Sequence, residues 1–340
     1  MGSAPASEDE VLACLARHFP ARHPALLLGR GDDCALLKNA GPLCVSSDIF
    51  LENTHFRRSY FLPEEIGHKA LAVNLSDLAG CGARPLAFSL NLVLPAWVDL
   101  EFLDKFFRGM ATLANEYNLP LLGGDISAGQ EFCSCITIYG TCFDEEAFLA
   151  RGGAMPGDVI FVVGEPGLAR IGLEELELSG RAALSEWPES CRAHLTPRPQ
   201  VAAGLVLARA GLHARLPALM DISDGITRDL PRLLGQGGED GSRKARYGAS
   251  LWIEKAALHP EAIRHAALHG RDAIGETLLG GEDYALLGAC APDMLPALKA
   301  AIPGLFPLGH VLAESGLFCN GEEISPGGFD HFGGRTTPEK

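Results

Sequence analysis

The chain lacks three features that would each assign it to a class of protein. It has no run of about 18 to 20 apolar residues, which a membrane-spanning helix requires, and no long cluster of Lys or Arg for nucleic acid or anionic lipid. Its 10 cysteines are too dilute in 340 residues for a disulfide scaffold, and none are spaced as C-x-x-C. With a formal net charge of −15, we therefore expect no nucleic-acid partner and no membrane partner.

Two further absences concern targeting and nucleotide binding. Residues 1–10 carry neither the basic start nor the apolar segment of a secretory signal, so we expect a cytoplasmic protein. The chain contains no G-x-x-x-x-G-K-[S/T], no G-x-G-x-x-G between a strand and a helix, and no nucleophile elbow G-x-S-x-G. The two common nucleotide cradles and an elbow-type nucleophile are therefore excluded.

The length and the apolar fraction of 47% indicate two hydrophobic cores. A segment rich in Gly and Pro at about residues 145–158 predicts a linker, so we place the domains at 1–148 and 149–340. After an N-terminal arm, the first half follows the order β-α-β-α-β-β, and the second half alternates strands with helices. This pattern predicts an α+β fold.

Apolar periodicity locates the elements. It predicts helices at 8–19, 63–80, 101–118, 167–180 and 198–212. It predicts strands at 43–45, 86–94, 132–143, 159–163, 219–220, 251–253, 285–287 and 306–311. Residues 235–246 are polar and show no periodicity, which predicts an exposed loop.

Acidic residues beside Gly, Ser or Asn recur along the chain. The stretch 46–56 follows the apolar run 43–45 with two hydroxyls, a carboxylate and later a histidine, so we predict that a strand ends there and presents hard oxygen ligands. Five other acidic segments occur, at residues 31–33, 74–77, 123–125, 221–225 and 280–284. Because α/β proteins build their sites at strand ends, we expect several of these carboxylates to meet.

Each segment taken alone has an ordinary structural explanation. Asp32 and Asp33 could be a solvated turn. Asn74 and Asp77 share one face of an apolar helix, where the carboxylate needs either a cation or a neighbouring loop to cap. Together the segments predict a site for several Mg²⁺ ions that binds a polyphosphate, since Mg²⁺ takes carboxylate and phosphate oxygens together. A calcium loop is the alternative, but its twelve-residue pattern is absent.

These segments, taken in order, resemble the motifs of the thiamine-monophosphate kinase family. That family belongs to the aminoimidazole-ribonucleotide-synthetase-like superfamily. The matching residues are 31–35, 47–48 with 55–56, 69–77, 123–125, 157–158, 221–225, 281–284 and 328–332. The resemblance covers nearly the whole chain, and its blocks at 69–77 and 328–332 are specific to the kinase branch.

The resemblance implies a homodimer of two-domain protomers, with an N-terminal mixed sheet and crossover helices, a C-terminal α/β sandwich, and an ATP site between the domains. Residues 1–148 would bind metal and ATP and form the dimer, and residues 149–340 would complete the nucleotide and substrate site. The implied partners are ATP as co-substrate, thiamine monophosphate and several Mg²⁺ ions. The implied reaction is direct in-line transfer of the γ-phosphoryl group, giving thiamine diphosphate.

The resemblance also implies roles for individual residues, with no catalytic side chain. The implied metal ligands are Asp33, Ser46, Ser47, Asp48, Asp77, Asp125, Asp221 and Asp224. The implied ATP contacts are Gly124, Asp125, Arg151 and Ser223. The implied substrate contacts are His55, Glu282 and Phe329. For His55, a core histidine at the end of a strand is the alternative.

The chain departs from the family pattern at three places. Ser46, Ser47 and Asp48 stand where the family usually has Thr-Thr-Asp or Ser-Thr-Asp, a change that keeps the hydroxyl groups. Ile126, Ser127 and Ala128 stand where the family usually has Thr-Thr-Arg, so a hydroxyl and a cation are missing there. Pro326 stands where an aromatic residue often covers the substrate, which leaves Phe329 as the substitute. A synthetase-type member of the superfamily and a non-catalytic nucleotide-binding relative therefore stay open as alternatives.

Overall fold

The computed structural model describes residues 4–30, 34–38, 41–143, 148–212, 214–235 and 247–329. The helices are α1 Glu8–His18, α2 Pro63–Gly80, α3 Leu100–Glu116, α4 Leu168–Ser179, α5 Pro188–Leu195, α6 Val201–Gly211, α7 Ile226–Leu234, α8 Pro260–His269, α9 Ala273–Leu279 and α10 Leu295–Ala301. The strands are β1 Leu26–Leu28, β2 Leu36–Leu37, β3 Leu43–Leu51, β4 Arg84–Leu94, β5 Ile126–Ala128, β6 Cys133–Thr141, β7 Val159–Val163, β8 Ala218–Asp221, β9 Gly248–Leu251, β10 Leu286–Cys290, β11 Leu305–Leu312, β12 Leu317–Cys319 and β13 Glu322–Glu323.

The α+β class is confirmed, and the order β3-α2-β4-α3-β5-β6 is the order predicted for the first half. The helices predicted by range all form, as α1, α2, α3, α4 and α6, and the structure adds α5 and α7 to α10 in unit 2. The strand expected at 251–253 lies earlier, as β9. Of the loop expected at 235–246, residues 236–246 lie outside the described residues. No helix in the described part of the chain combines the length and the apolar character needed to cross a membrane.

The chain divides into two compact units. Unit 1 comprises Met1–Phe148, Leu176–Ala182 and Leu195–His213, and unit 2 comprises Leu149–Glu175, Ala183–His194 and Ala214–Lys340. The single cut expected between residues 148 and 149 thus omits two later segments of unit 1. Polar contacts hold these segments: the Arg181 guanidinium bonds to Glu65 at 2.7 Å, and His68 Nε2 lies 3.0 Å from the Pro197 carbonyl oxygen.

Unit 1 contains a four-stranded sheet in the order β3-β6-β4-β5, with β6 antiparallel to both of its neighbours and β5 parallel to β4. One face of the sheet is covered by α2, which packs against α3. Along β6, Ser134, Ile136 and Ile138 are buried, while the residues between them are half-exposed. This alternation of period two gives the sheet a covered face and an open face.

The polar residues 46–48 lie inside β3, which corrects the prediction that they follow the end of a strand. β3 pairs with β6 over its whole length, and Asp48 stands opposite Ile136. The strand continues because its alternate residues face opposite ways: Ser46 and Asp48 are half-buried, whereas Val45 and Ile49 are exposed. Polar groups on the covered face do not interrupt the pairing of the backbone.

Unit 2 contains a seven-stranded sheet in the order β13-β12-β9-β11-β7-β10-β8. The interior strand β7, between β11 and β10, is buried at every residue, as its run of Val, Ile and Phe requires. The edge strand β8 ends at Asp221, and α7 begins five residues later at Ile226. The segment between them, residues 222–225, therefore leaves the sheet edge and carries the predicted acidic motif.

Candidate functional site

In unit 1, Ser46, Asp48 and Asp77 come together between β3 and α2. The Ser46 hydroxyl donates a hydrogen bond to Asp77 Oδ2. Burial, the negative charge of Asp77 and a hydrogen bond to Asp77 raise the pKa of Asp48 to about 7. The structure thus joins three of the residues predicted to bind metal, two of them from the strand and one from the helix.

The chemistry of this cluster fits a hard divalent cation. Two carboxylates that lie this close repel each other when both are ionised, and a cation between them would favour the ionised form of both. Asn74 lies one helical turn before Asp77 and is 1% exposed, and its Oδ1 has no hydrogen-bond partner among the described residues. A buried oxygen of this kind is a further hard donor on the same face of α2.

The side chain of Ser47 is on the other face of β3. Its hydroxyl donates to the Ile136 carbonyl oxygen at 3.0 Å and lies 3.1 Å from Thr137 Oγ1. The structure therefore does not bring the Ser47 side chain together with Ser46 and Asp77. The register explains the difference, since neighbouring residues of a strand point to opposite faces.

The segment 123–125 lies beside Leu90 of β4, and Leu90 aligns with Asp48 across the sheet. In the register, Asp48 stands opposite Ile136, and Ile136 stands opposite Leu90. Gly124 has φ +154°, and a Cβ on it would lie 1.6 Å from the Leu90 carbonyl oxygen, so only glycine fits there. The side chain of Asp125 is exposed. Asp33 lies outside the described residues.

His55 follows β3 in a tight turn. Its Nδ1 accepts a hydrogen bond from the Leu51 N–H at 3.0 Å, and its ring stacks on Phe50 with the centroids 5.6 Å apart. This tautomer would carry its proton on Nε2. The half-buried ring agrees with the alternative of a structural histidine at the end of a strand, and its contact with substrate stays a prediction.

In unit 2, Asp229 organises the acidic segment that follows β8. This carboxylate is fully buried and accepts hydrogen bonds from the backbone N–H groups of Ser223 at 3.1 Å and Asp224 at 3.0 Å. Burial raises the pKa of Asp229, while the two N–H donors and the Arg232 guanidinium act in the opposite direction. Asp229 thereby fixes the backbone that presents Ser223 and Asp224.

Two arginines of α7 contact Asp224. Arg232 lies 2.6 Å from Asp224 Oδ2 and also binds Asp229 at 2.7 Å, and Arg228 lies 3.5 Å from Asp224. Sequence reasoning missed Asp229, Arg232 and Arg228. A signal was present, because Asp229 shares the apolar face of α7 with Ile226 and therefore needs a partner, by the argument applied to Asp77.

The segment 280–284 folds back onto this motif through an unusual backbone. Glu282 and Tyr284 have φ of 60° and 50°, a conformation that side chains rarely adopt and that often occurs at functional sites. The Glu282 N–H donates to the Ser223 carbonyl oxygen at 2.8 Å. Its carboxylate lies 3.2 Å from Nδ1 of the buried His194.

Further hydrogen bonds complete the arrangement in unit 2. The Asp283 carboxylate accepts from the N–H groups of Gly167 at 2.6 Å and Ala169 at 3.0 Å. The N–H of the exposed Phe329 donates to the Asp224 carbonyl oxygen at 3.1 Å. Together with the contact between Glu282 and Ser223, these bonds bring Glu282 and Phe329 beside the predicted nucleotide and metal residues.

The remaining predicted residues of unit 2 lie along β8. Asp221 is 6% exposed and is the last residue of the strand. Arg151 is exposed and follows Ala150, which forms a parallel bridge with Ala218. Arg151 therefore lies beside the edge of the sheet, where its guanidinium is open to a ligand.

Several known proteins are similar to this chain. Residues 31–143 match the model "AIR synthase related protein, N-terminal domain". Thiamine-monophosphate kinase of Escherichia coli (strain K12) is 32% identical over 335 residues, which cover 94% of this chain and 97% of that protein.

Two solved structures have the same fold. The thiamine-monophosphate kinase of Stenotrophomonas maltophilia K279a aligns with a TM-score of 0.78 and 28% identity, over 95% of this chain and 99% of that one. AaThiL complexed with AMPPCP and TMP aligns with a TM-score of 0.71 and 28% identity, over 88% and 91% of the two chains.

Proposed function

The chain belongs to the thiamine-monophosphate kinase family, and from this premise we propose that it transfers the γ-phosphoryl group of ATP to thiamine monophosphate. The observation that carries the proposal is the cluster of Ser46, Asp48 and Asp77, which lies within the residues matched by the family model. The complex of the relative AaThiL with AMPPCP and TMP supports the choice of both substrates.

In the proposed reaction, a phosphate oxygen of thiamine monophosphate attacks the γ-phosphorus of ATP in line with the bond to the β–γ bridging oxygen. That bond breaks as the new P–O bond forms, so ADP leaves with the bridging oxygen and thiamine diphosphate results. No protein side chain is modified. The protein has to position two anionic substrates and offset their charge, although the chain itself carries a net charge of −15.

The oxygen donors of unit 1 fit Mg²⁺, and Ser46, Asp48 and Asp77 would hold it, with Asp33 and Asp125 as further ligands. The paired carboxylates and the buried Asn74 Oδ1 support this assignment. A bound Mg²⁺ would supply positive charge to the phosphate oxygens. Gly124 would let the backbone approach the nucleotide, because its position accepts no side chain.

The residues of unit 2 take the other assigned roles. Asp221 and Asp224 are proposed as metal ligands, and Ser223 and Arg151 as contacts to ATP. Glu282 and Phe329 are proposed to contact the thiamine part of the substrate, and the hydrogen bonds that hold both residues beside 223–224 support this grouping. The cytoplasmic location expected from the sequence stays a prediction.

One assay tests the proposal. Purified protein is mixed with ATP, Mg²⁺ and thiamine monophosphate, and the products are separated by chromatography. We expect equal amounts of ADP and thiamine diphosphate, no product with EDTA, and recovery when Mg²⁺ is restored. ADP formed only with another acceptor would contradict the kinase assignment. Binding of ATP without any transfer would favour the non-catalytic alternative.

Separate substitutions of His55 and Arg151 should distinguish the two ligands. His55→Ala is expected to raise KM for thiamine monophosphate with little change in KM for ATP, and Arg151→Ala is expected to do the reverse, since each residue is assigned to one ligand. Steady-state kinetics with each substrate varied in turn gives the four constants. If both variants changed both KM values in parallel, the assignments would be wrong and general disruption would explain the effect.

The open face of the four-stranded sheet supports the homodimer. Three apolar residues of β3, Leu43, Val45 and Ile49, are 49%, 53% and 60% exposed and point to this face. A row of exposed apolar residues on a sheet face is typical of an interaction surface. We propose that the same face of a second copy covers it, since a self-complementary apolar patch suits a two-fold interface.

An aspartate in this row should weaken the dimer. Ile49→Asp would bury an unpaired charge in the apolar interface on each copy, so we expect a monomer in light scattering at concentrations where the wild type is a dimer. Leu178→Asp is the control, because Leu178 is 73% exposed and lies on α4 and not on the sheet. A wild-type monomer, or equal dissociation of both variants, would contradict the proposed interface.

A further inference from the structure

A second group of metal-binding side chains lies in unit 2, outside the residues assigned above. His265 and His269 are four residues apart on α8 and therefore lie on the same helix face. Glu175 of α4 faces them: its Oε1 lies 3.3 Å from His265 Nε2 and 3.6 Å from His269 Nε2. The ligand atoms of all three residues lie within 4.8 Å of one another.

His265 is buried without any hydrogen bond. Its side chain is 1% exposed, and neither Nδ1 nor Nε2 has a hydrogen-bond partner in the described part of the chain. The short distance to Glu175 lacks the angle of a hydrogen bond. A buried imidazole with two unpaired nitrogens is unfavourable, so Nε2, which points at Glu175 and His269, needs a ligand.

An ion pair does not meet this need. Burial is the largest effect that lowers the pKa of His265, and the neighbouring His269 lowers it further. Together they outweigh the charges of Glu174 and Glu175, which raise this pKa. The surroundings of the ring therefore favour its neutral form. A neutral imidazole is the form that binds a metal ion.

Three carboxylates, those of Glu174, Glu175 and Glu276, lie near the two histidines, and their contacts with arginine distinguish them. Glu174 Oε2 lies 3.8 Å from His265 Nε2, but Glu174 is bound by Arg271 at 2.9 Å and by Arg170 at 3.2 Å. Glu276 is also bound by Arg271, at 2.9 Å. These guanidinium groups offset the charge of Glu174 and Glu276, whereas Glu175 Oε1 lies within 3.6 Å of Nε2 of both histidines.

We propose that Glu175, His265 and His269 bind one divalent transition-metal ion of the zinc type. Ligands at about 2.0–2.1 Å from a tetrahedral zinc ion stand roughly 3.3 Å apart, which agrees with the two distances from Glu175 to the histidines. His269 is 35% exposed, so the fourth position opens to water. Two imidazoles select against Mg²⁺, which prefers oxygen donors. The ion would cross-link α4 and α8.

The test uses the full chain with Co²⁺ as the probe, in excess Mg²⁺ so that hard oxygen sites stay occupied. Visible absorption reports the geometry around Co²⁺. Quenching of tryptophan fluorescence reports its position, because the Trp187 ring lies 5.4 Å from the His265 ring. We expect the wild type to bind one more Co²⁺ per chain than His269→Ala, and Zn²⁺ to displace that ion.

Matched variants identify the ligands. His269→Ala and Glu175→Gln should each weaken Co²⁺ binding at least ~100-fold, and both positions lie outside the proposed kinase site. Glu174→Gln should leave binding unchanged, as should His310→Ala, which removes an exposed histidine of β11. The proposal is overturned if Co²⁺ binds as tightly to His269→Ala as to the wild type. It is also overturned if Glu174→Gln abolishes binding and Glu175→Gln does not.

Discussion

Asp77→Asn is expected to lower turnover at least ~100-fold, about 2.7 kcal/mol of transition-state stabilisation, without loss of the fold. The asparagine keeps the shape of the side chain and an oxygen that can accept the hydrogen bond from the Ser46 hydroxyl, but it removes the negative charge. Because that charge also repels Asp48, the metal-free variant should melt at the same temperature as the wild type or higher. Its stabilisation by Mg²⁺ should be lost.

Two measurements separate these effects: the turnover number, and the melting temperature with and without Mg²⁺. Asp9→Asn is the control, since Asp9 is an exposed carboxylate in the first turn of α1, and both of its values should match the wild type. An active Asp77→Asn that Mg²⁺ still stabilises would contradict the metal cluster. A lower melting temperature without Mg²⁺ would instead identify Asp77 as a structural residue.

The elements of the fold could be predicted because local signals mark them. Pro63 opens α2 and two glutamates follow it, the Ser7 hydroxyl caps α1, and the alternation in residues 86–94 corresponds to β4. The grouping of Asp77 with Ser46 and Asp48 could also be predicted. A carboxylate in a buried apolar helix requires a polar partner, and that requirement can be recognised before the partner is known.

What could not be predicted depends on register and on distant pairing. Ser46 and Ser47 look equivalent as neighbours in the chain, and only the pairing of β3 with β6 shows that the Ser46 side chain meets Asp77. The positive φ of Glu282 depends on its hydrogen bond to Ser223, 59 residues earlier. No periodicity in one segment contains this information. The same is true of Glu175 and His265, which α4 and α8 bring together.

Removing the buried carboxylate of Asp229 is expected to cause a large loss of stability in unit 2. Asp229→Ala would leave the N–H groups of Ser223 and Asp224 without their acceptor and would remove one partner of Arg232. Breaking a buried charged network of this kind lowers the free energy of unfolding by about 3–5 kcal/mol. Denaturant unfolding of the full chain measures the change, and activity should fall with it because residues 223–224 lose their fixed backbone.

Asp229→Asn separates the oxygen acceptor from the charge. Because burial raises the pKa of Asp229, part of the favourable effect of its charge is offset by desolvation, and the asparagine retains one acceptor oxygen. We therefore expect its stability to lie closer to the wild type than to Asp229→Ala. Asp224→Asn should retain nearly full stability but lose activity, since Asp224 is assigned to a metal ion. If Asp229→Ala unfolded at the same denaturant concentration as Asp224→Asn, Asp229 would not be the residue that holds the segment.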